Sequence, residues 1–122
     1  MHPIIVREKI SQEVITRMAL ENFGDIVKVD VDIERGILTL GGDWHSEGQQ
    51  LLVEDGSSGL NVWGVNFYPW KPSQERIAYV SLINLKSHLK HENMEIKDVE
   101  LKKKIKKIIN DLLLDDNETL PS

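Results

Sequence analysis

Cysteine is absent from this 122-residue chain, which removes disulfides, thiolate metal sites and cysteine nucleophiles together. Long apolar runs are absent as well. No stretch approaches the roughly 20 residues of a membrane-spanning helix, and Met1-His2-Pro3 opens without the basic and apolar segments of a secretion signal. The expectation is a cytoplasmic protein with no membrane partner. Positive charge is in the minority, giving a formal net charge of −5, so the bulk field repels a phosphate backbone. No aromatic or arginine interleaves with the one lysine-rich run, and a nucleic-acid partner is therefore not expected. No cofactor-binding spacing is present, and no cofactor is expected.

What is there is an ordinary globular composition, 40% hydrophobic and 29% charged, at a length that one hydrophobic core can serve. Ser11 is placed to cap a helix carrying Val14, Ile15, Met18, Ala19 and Phe23 on one face, with Gly24 to end it. A short extended segment, Pro3 to Arg7, precedes it. Val27, Val29, Val31 and Ile33 then alternate with Lys28, Asp30 and Asp32, the period of a strand with one face inward. Glu34-Arg35-Gly36 turns the chain into a second strand, Ile37 to Leu40. Ser46 could cap a helix over residues 47–53, a stretch equally compatible with a strand. Leu60 to Tyr68 and Ile77 to Leu85 read as strands, the second apolar on both faces and so central. Asp98 opens a last helix that buries Leu101, Ile105, Ile108, Ile109 and Leu112. These elements predict an α+β fold: residues 1–115 form a single domain, an antiparallel sheet of about four strands with N- and C-terminal helices packed on it. Residues 116–122 are expected to be a disordered tail.

Four groups of residues carry possible chemistry or recognition. Asn66, Ser81 and Asn84 sit inside strands that otherwise look buried, and a buried amide without partners costs about 1–3 kcal/mol. They must either bond to the backbone of nearby loops or line a cleft, where Tyr68 would join them. His45, flanked by Asp43 and Glu47 and following Gly41-Gly42, is the single candidate for acid–base work. His88 and His91 are three residues apart, with Glu92 and Glu95 close by, and are the candidate metal ligands, two histidines alone being an incomplete site. Lys102 to Lys107 cover the outer face of the last helix and offer the one surface for a weak nucleic-acid contact.

Several segments together resemble a family of short prokaryotic proteins known only as a domain of unknown function. They are Val31-Asp32-Ile33, Gly42 with His45, Leu51-Leu52-Val53-Glu54-Asp55-Gly56-Ser57, Trp63-Gly64-Val65-Asn66-Phe67-Tyr68-Pro69, Ser81-Leu82-Ile83-Asn84, and the helix from Asp98 to Leu113. The family tends to have more acidic residues after the histidine than Ser46-Glu47-Gly48-Gln49, and a more basic loop than Lys86 to Glu92. The resemblance implies a bacterial or archaeal cytoplasmic protein and no particular activity. The reading that results is a small binding or interaction module. Its face around His45, Glu54, Trp63, Asn66, Tyr68 and Asn84 would contact a small molecule or a protein partner. The rival is a cofactor-free hydrolase or transferase with His45 as base and Asn66 or Asn84 holding an oxyanion. Edge strands of so small a sheet could also pair across a homodimer.

Overall fold

Ser11 caps the first helix as expected, its hydroxyl accepting from the Val14 amide at 3.3 Å, and helix α1 runs over Gln12–Glu21. In the computed structural model, which describes residues 2–121, α1 follows strand β1 (Ile4–Val6) and precedes β2 (Val27–Asp32) and β3 (Ile37–Leu40). Helix α2 (His45–Glu54), β4 (Val62–Phe67), β5 (Ile77–Ala78) and α3 (Val99–Leu112) complete the chain. The strands form one antiparallel sheet in the order β1-β3-β2-β4-β5, making an α+β fold with five strands where the sequence suggested about four. The additional strand is the extended segment ahead of α1.

The two faces of the sheet are packed differently. Val27, Val29 and Val31 of β2 stand beside Leu38 and Leu40 of β3 and Val65 and Phe67 of β4. Ile15 and Met18 of α1 and Ile105 and Ile109 of α3 close over them to form the main core. Asp98 starts α3 by accepting from the amides of Glu100 and Leu101 at 2.9 and 3.2 Å. On the other face, Ile37 and Val62 meet Leu52 of α2, with Ile5 and Ile83 against them. This second layer extends the sequence reading. The alternation of β2 sets Asp30 and Asp32 on the face opposite the valines, and that face is buried too, Asp30 to 1% exposure, because α2 covers it. Asp32 is used locally, its Oδ1 accepting from the amides of Glu34 and Arg35 at 2.9 and 3.0 Å in the turn before β3.

The segment Ile77 to Leu85 is a correction. Ile77–Ala78 joins the sheet, at its edge and not the centre, while Val80 makes an isolated bridge with Glu95. Beyond it the chain leaves the ladder for a 3-10 turn at Leu82–Asn84, opened by Ser81, whose hydroxyl accepts from the Ile83 amide at 3.3 Å. Another correction is Phe23: α1 ends two residues earlier, and the ring is half exposed under the Lys28 ammonium at 4.8 Å.

The C-terminal tail, expected to be disordered, is seated over residues 115–121; Ser122 lies outside the described residues. Leu113, Leu114 and Leu120 are buried. Arg76, itself buried, donates to the carbonyls of Lys71 and Asp115 at 3.1 and 2.9 Å and to that of Glu118. Trp70 Nε1 donates to the Pro121 carbonyl at 3.1 Å. The Glu118 carboxylate pairs with Lys9 and accepts from Gln12 at 3.3 Å and from the Asp115 amide at 3.1 Å. Foremost the Lys9 bond, then that amide, lowers Glu118 from 4.5 to about 2. A carboxyl depressed in the folded state adds stability above its unfolded value and loses it as pH falls toward the folded one. Unfolding midpoints measured between pH 4.5 and about 2 should therefore fall less steeply in Glu118→Gln than in the wild type; parallel curves would show that the tail contact contributes nothing.

Candidate functional site

The site forms where the N-terminus of α2 meets the polar stripe of β2. Helix α2 begins at Trp44, one turn of backbone whose Asp43 and Trp44 amides donate to the Glu47 carboxylate at 2.9 and 2.8 Å. Glu47, and not Ser46, therefore caps this helix, and residues 47–53 are helical. The cap at Trp44, two residues ahead of Ser46, puts His45 in the first turn, with its side chain down onto the sheet. Its Nδ1 lies 2.7 Å from Asp30 Oδ1 and its Nε2 lies 3.0 Å from Asn66 Oδ1. Asp30 Oδ2 accepts from the Thr39 hydroxyl at 3.4 Å.

Two glycines make this approach geometrically accessible. A Cβ on Gly48, one turn along α2 from His45, would stand 2.0 Å from Asp30 Oδ2 and 2.3 Å from Thr39 Oγ1. A Cβ on Gly64, the register partner of Asp30, would stand 2.7 Å from Ser81 Oγ and 3.0 Å from His45 Nδ1. Glycine within a helix or strand costs stability, and here it is what lets the ring and the carboxylate meet beneath the helix.

Burial raises the Asp30 carboxyl above its ordinary value, and the hydrogen bond and charge of His45 oppose that rise. The His45 side chain is 10% exposed, so the pair is screened by protein on nearly every side. The outer end of this Asp30–His45–Asn66 chain forms the floor of a cleft of about 320 Å³. Lys28, Asn66 and Ser46 line its polar end; Trp44, Val80, Leu82 and Ile83 supply apolar walls, with Ser81 at their base. Trp44 and Leu82 are 68% and 69% exposed.

Of the residues singled out by sequence, the structure brings together His45 and Asn66. Asn84 is close by but enclosed: Gly64 donates to its Oδ1 at 2.8 Å, and its Nδ2 donates to the carbonyls of Gly64 and Met94, both at 3.0 Å. An amide side chain thus takes the place of a neighbouring strand at the β4 edge. Asn84→Ala should destabilise the fold by about 3 kcal/mol in urea unfolding, because the buried amide and carbonyl of Gly64 lose their partner; a loss under about 1 kcal/mol would mean that water reaches them. Glu54 is exposed at the opposite end of α2, bonded to Gln50 at 3.2 Å. Trp63 is buried in the main core, its ring edge-on to His91. Tyr68 lies past the end of β4 under the Lys71 ammonium, away from the cleft lining. Asp30, Thr39 and Lys28 were missed by sequence reasoning.

The other candidates stay apart from this site. His91 Nδ1 bonds the Asn84 carbonyl at 2.8 Å and His88 is exposed; among the described residues no group of three or more histidines and carboxylates could hold a metal. On α3, Lys103, Lys106 and Lys107 pair with Glu100, Asp116 and Asp111. Among the described residues no helix is long and apolar enough to cross a membrane.

Fold and site together define a small α+β domain with a histidine-centred cleft on the helix-covered second face of its sheet. A family model described as Protein of unknown function (DUF5674) matches residues 4–112, from β1 to the end of α3, and the chain belongs to that family. No curated protein and no solved structure matches it.

Proposed function

We propose that this protein is a small-molecule binding module whose site is the cleft between α2 and the Val80–Ile83 segment. The observation that carries the reading is the composition of that cleft: apolar lining from Trp44, Val80, Leu82 and Ile83 and, beside it, a polar group fixed by the hydrogen bonds from Asp30 through His45 to Asn66. Sites for small molecules combine mostly apolar lining with a few convergent polar groups. Asn66 suits such a role because the Asp30–His45 pair beneath it holds its Oδ1 in place. A prokaryotic cytoplasm is the setting we assign, following the resemblance of its segments.

Asp30 on Nδ1 of His45 also favours a second reading, acid–base catalysis, since a buried carboxylate orients an imidazole in that role. Two features weigh against it. Nε2, the nitrogen that would face a substrate, is bonded to Asn66, and the nearby Ser81 hydroxyl is engaged with the Ile83 amide. Binding is therefore the leading reading.

A two-dimensional amide NMR titration with a panel of small metabolite-like fragments tests it. Binding at the cleft moves the amides of Lys28, Trp44–Ser46, Asn66 and Val80–Ile83, and Trp44→Ala weakens those responses. Shifts confined to the outer faces of α1 or α3 would contradict the assignment. Turnover of an ester fragment that disappears in His45→Gln would promote the catalytic reading instead.

A further inference from the structure

Although the chain carries 20 acidic and 15 basic residues, no carboxylate lines the cleft. Lys28 and Asn66 are direct partners across β2 and β4, so their side chains stand together at its floor. Among the described residues no carboxylate pairs with Lys28, whose ammonium rests over Phe23. With Oδ1 of Asn66 turned to His45, its Nδ2 has no partner among the described residues and points its two hydrogens elsewhere. An ammonium and an amide donor at the floor, with a tryptophan and aliphatic side chains above, match a ligand that is anionic at one end and apolar at the other.

We propose that the cleft takes a small monocarboxylate with an apolar body, and that, wherever His45 starts with a single proton, binding is coupled to uptake of a second through the Asp30–His45–Asn66 chain. This rests on the reading of the cleft as a binding site and names its ligand class. The coupling follows from hydrogen-bond bookkeeping at the ring. Nδ1 faces the Asp30 carboxylate and Nε2 faces the Asn66 carbonyl oxygen, two acceptors, so this arrangement holds two protons on the imidazole. When Nε2 carries no proton, Asn66 must turn its amide over to donate Nδ2 to the ring. Its Oδ1 then faces the cleft, where it repels a carboxylate. Carboxylate in the cleft and a second proton on His45 therefore favour each other, and the dependence is reciprocal. The proton comes from solvent and stays on Nε2; no bond of the ligand changes.

Other charges near the ring do not reverse this. Lys28 lies on the same strand as Asp30, and the Lys86 ammonium, bonded to the Gly59 carbonyl at 2.8 Å, lies close enough to Asp30 to act on it. Glu47 of α2 is taken up by the Asp43 and Trp44 amides. Thr39 of β3, Asn66 of β4 and Ser81 of the Val80–Ile83 segment, which stand near the pair, are all uncharged.

Calorimetry of the full chain with benzoate, in buffers of different ionisation enthalpy at several pH values, tests the proposal beside the fragment titration. The expected result, where His45 starts with a single proton, is a binding enthalpy that varies with the buffer by about one proton taken up, and an affinity that falls about tenfold per pH unit on the alkaline side. Lys28→Met should weaken benzoate at every pH while leaving proton uptake intact, whereas Asn66→Ala should abolish uptake. Benzoate that binds at the cleft with no buffer dependence at any of these pH values would overturn the proton coupling alone. Neutral fragments that shift the cleft amides while benzoate does not would overturn the ligand class and leave the binding site standing. If no fragment moves those amides, the site reading itself fails.

Discussion

Replacing Gly48 with alanine is expected to destabilise the protein by about 3 kcal/mol, against the trend for that substitution in a helix. In an exposed helix, alanine is favoured over glycine by about 1 kcal/mol. Here the added methyl would stand 2.0 Å from Asp30 Oδ2 and 2.3 Å from Thr39 Oγ1. Neither neighbour can retreat, because Asp30 and Thr39 are register partners on adjacent strands and bond to each other. The helix must lift, which lengthens the His45–Asp30 contact and opens the apolar layer under Leu52. Urea unfolding gives the answer directly. A midpoint equal to or above that of the wild type would mean that α2 does not lie this close to the sheet.

His45→Ala should be costlier still at neutral pH, about 3–5 kcal/mol, since it strands a buried carboxylate with Thr39 as its remaining partner. Adding Asp30→Asn should recover a large part of that loss, because a neutral amide is far cheaper to bury than a charge. The pH dependence has a definite sign. Burial lifts Asp30 above its ordinary 3.8, and His45 holds it back. Without the ring the folded-state value rises further while the unfolded value does not. A carboxyl that binds its proton more tightly when folded makes folding less favourable as pH rises through that interval. The deficit of His45→Ala should thus be smallest near 3.8 and grow toward neutrality. A deficit independent of pH would show that Asp30 is neutral throughout, or reached by water.

Much of the fold could be read from local pattern. Ser11, the alternation from Val27, the Glu34-Arg35-Gly36 turn and Asp98 each mark an element that the structure contains. The gaps share a cause. Alternation along β2 separates its two faces but does not say whether the polar one meets water or a helix, so the burial of Asp30 was not legible. Length and apolar content made Ile77 to Leu85 look like a central strand, whereas a single side chain, Asn84, satisfies the β4 edge that a longer strand would have paired. The need of Asn66 and Asn84 for partners was legible; which partner each found was not. One signal for the buried site was present in glycine. Gly48 within a helical stretch and Gly64 within a strand both mark close approach, and both border the Asp30–His45 pair.

The site depends on His45 being bonded to Asp30 through Nδ1 under α2. A long-range proton–nitrogen correlation spectrum of histidine-labelled protein reads the protonation of each ring nitrogen in the four histidines. The expected result is one histidine, assigned to His45 by its loss in His45→Gln, whose Nδ1 keeps its proton above and below neutrality and exchanges slowly with solvent. A His45 with bare Nδ1, or one exchanging as freely as the exposed His88, would contradict it.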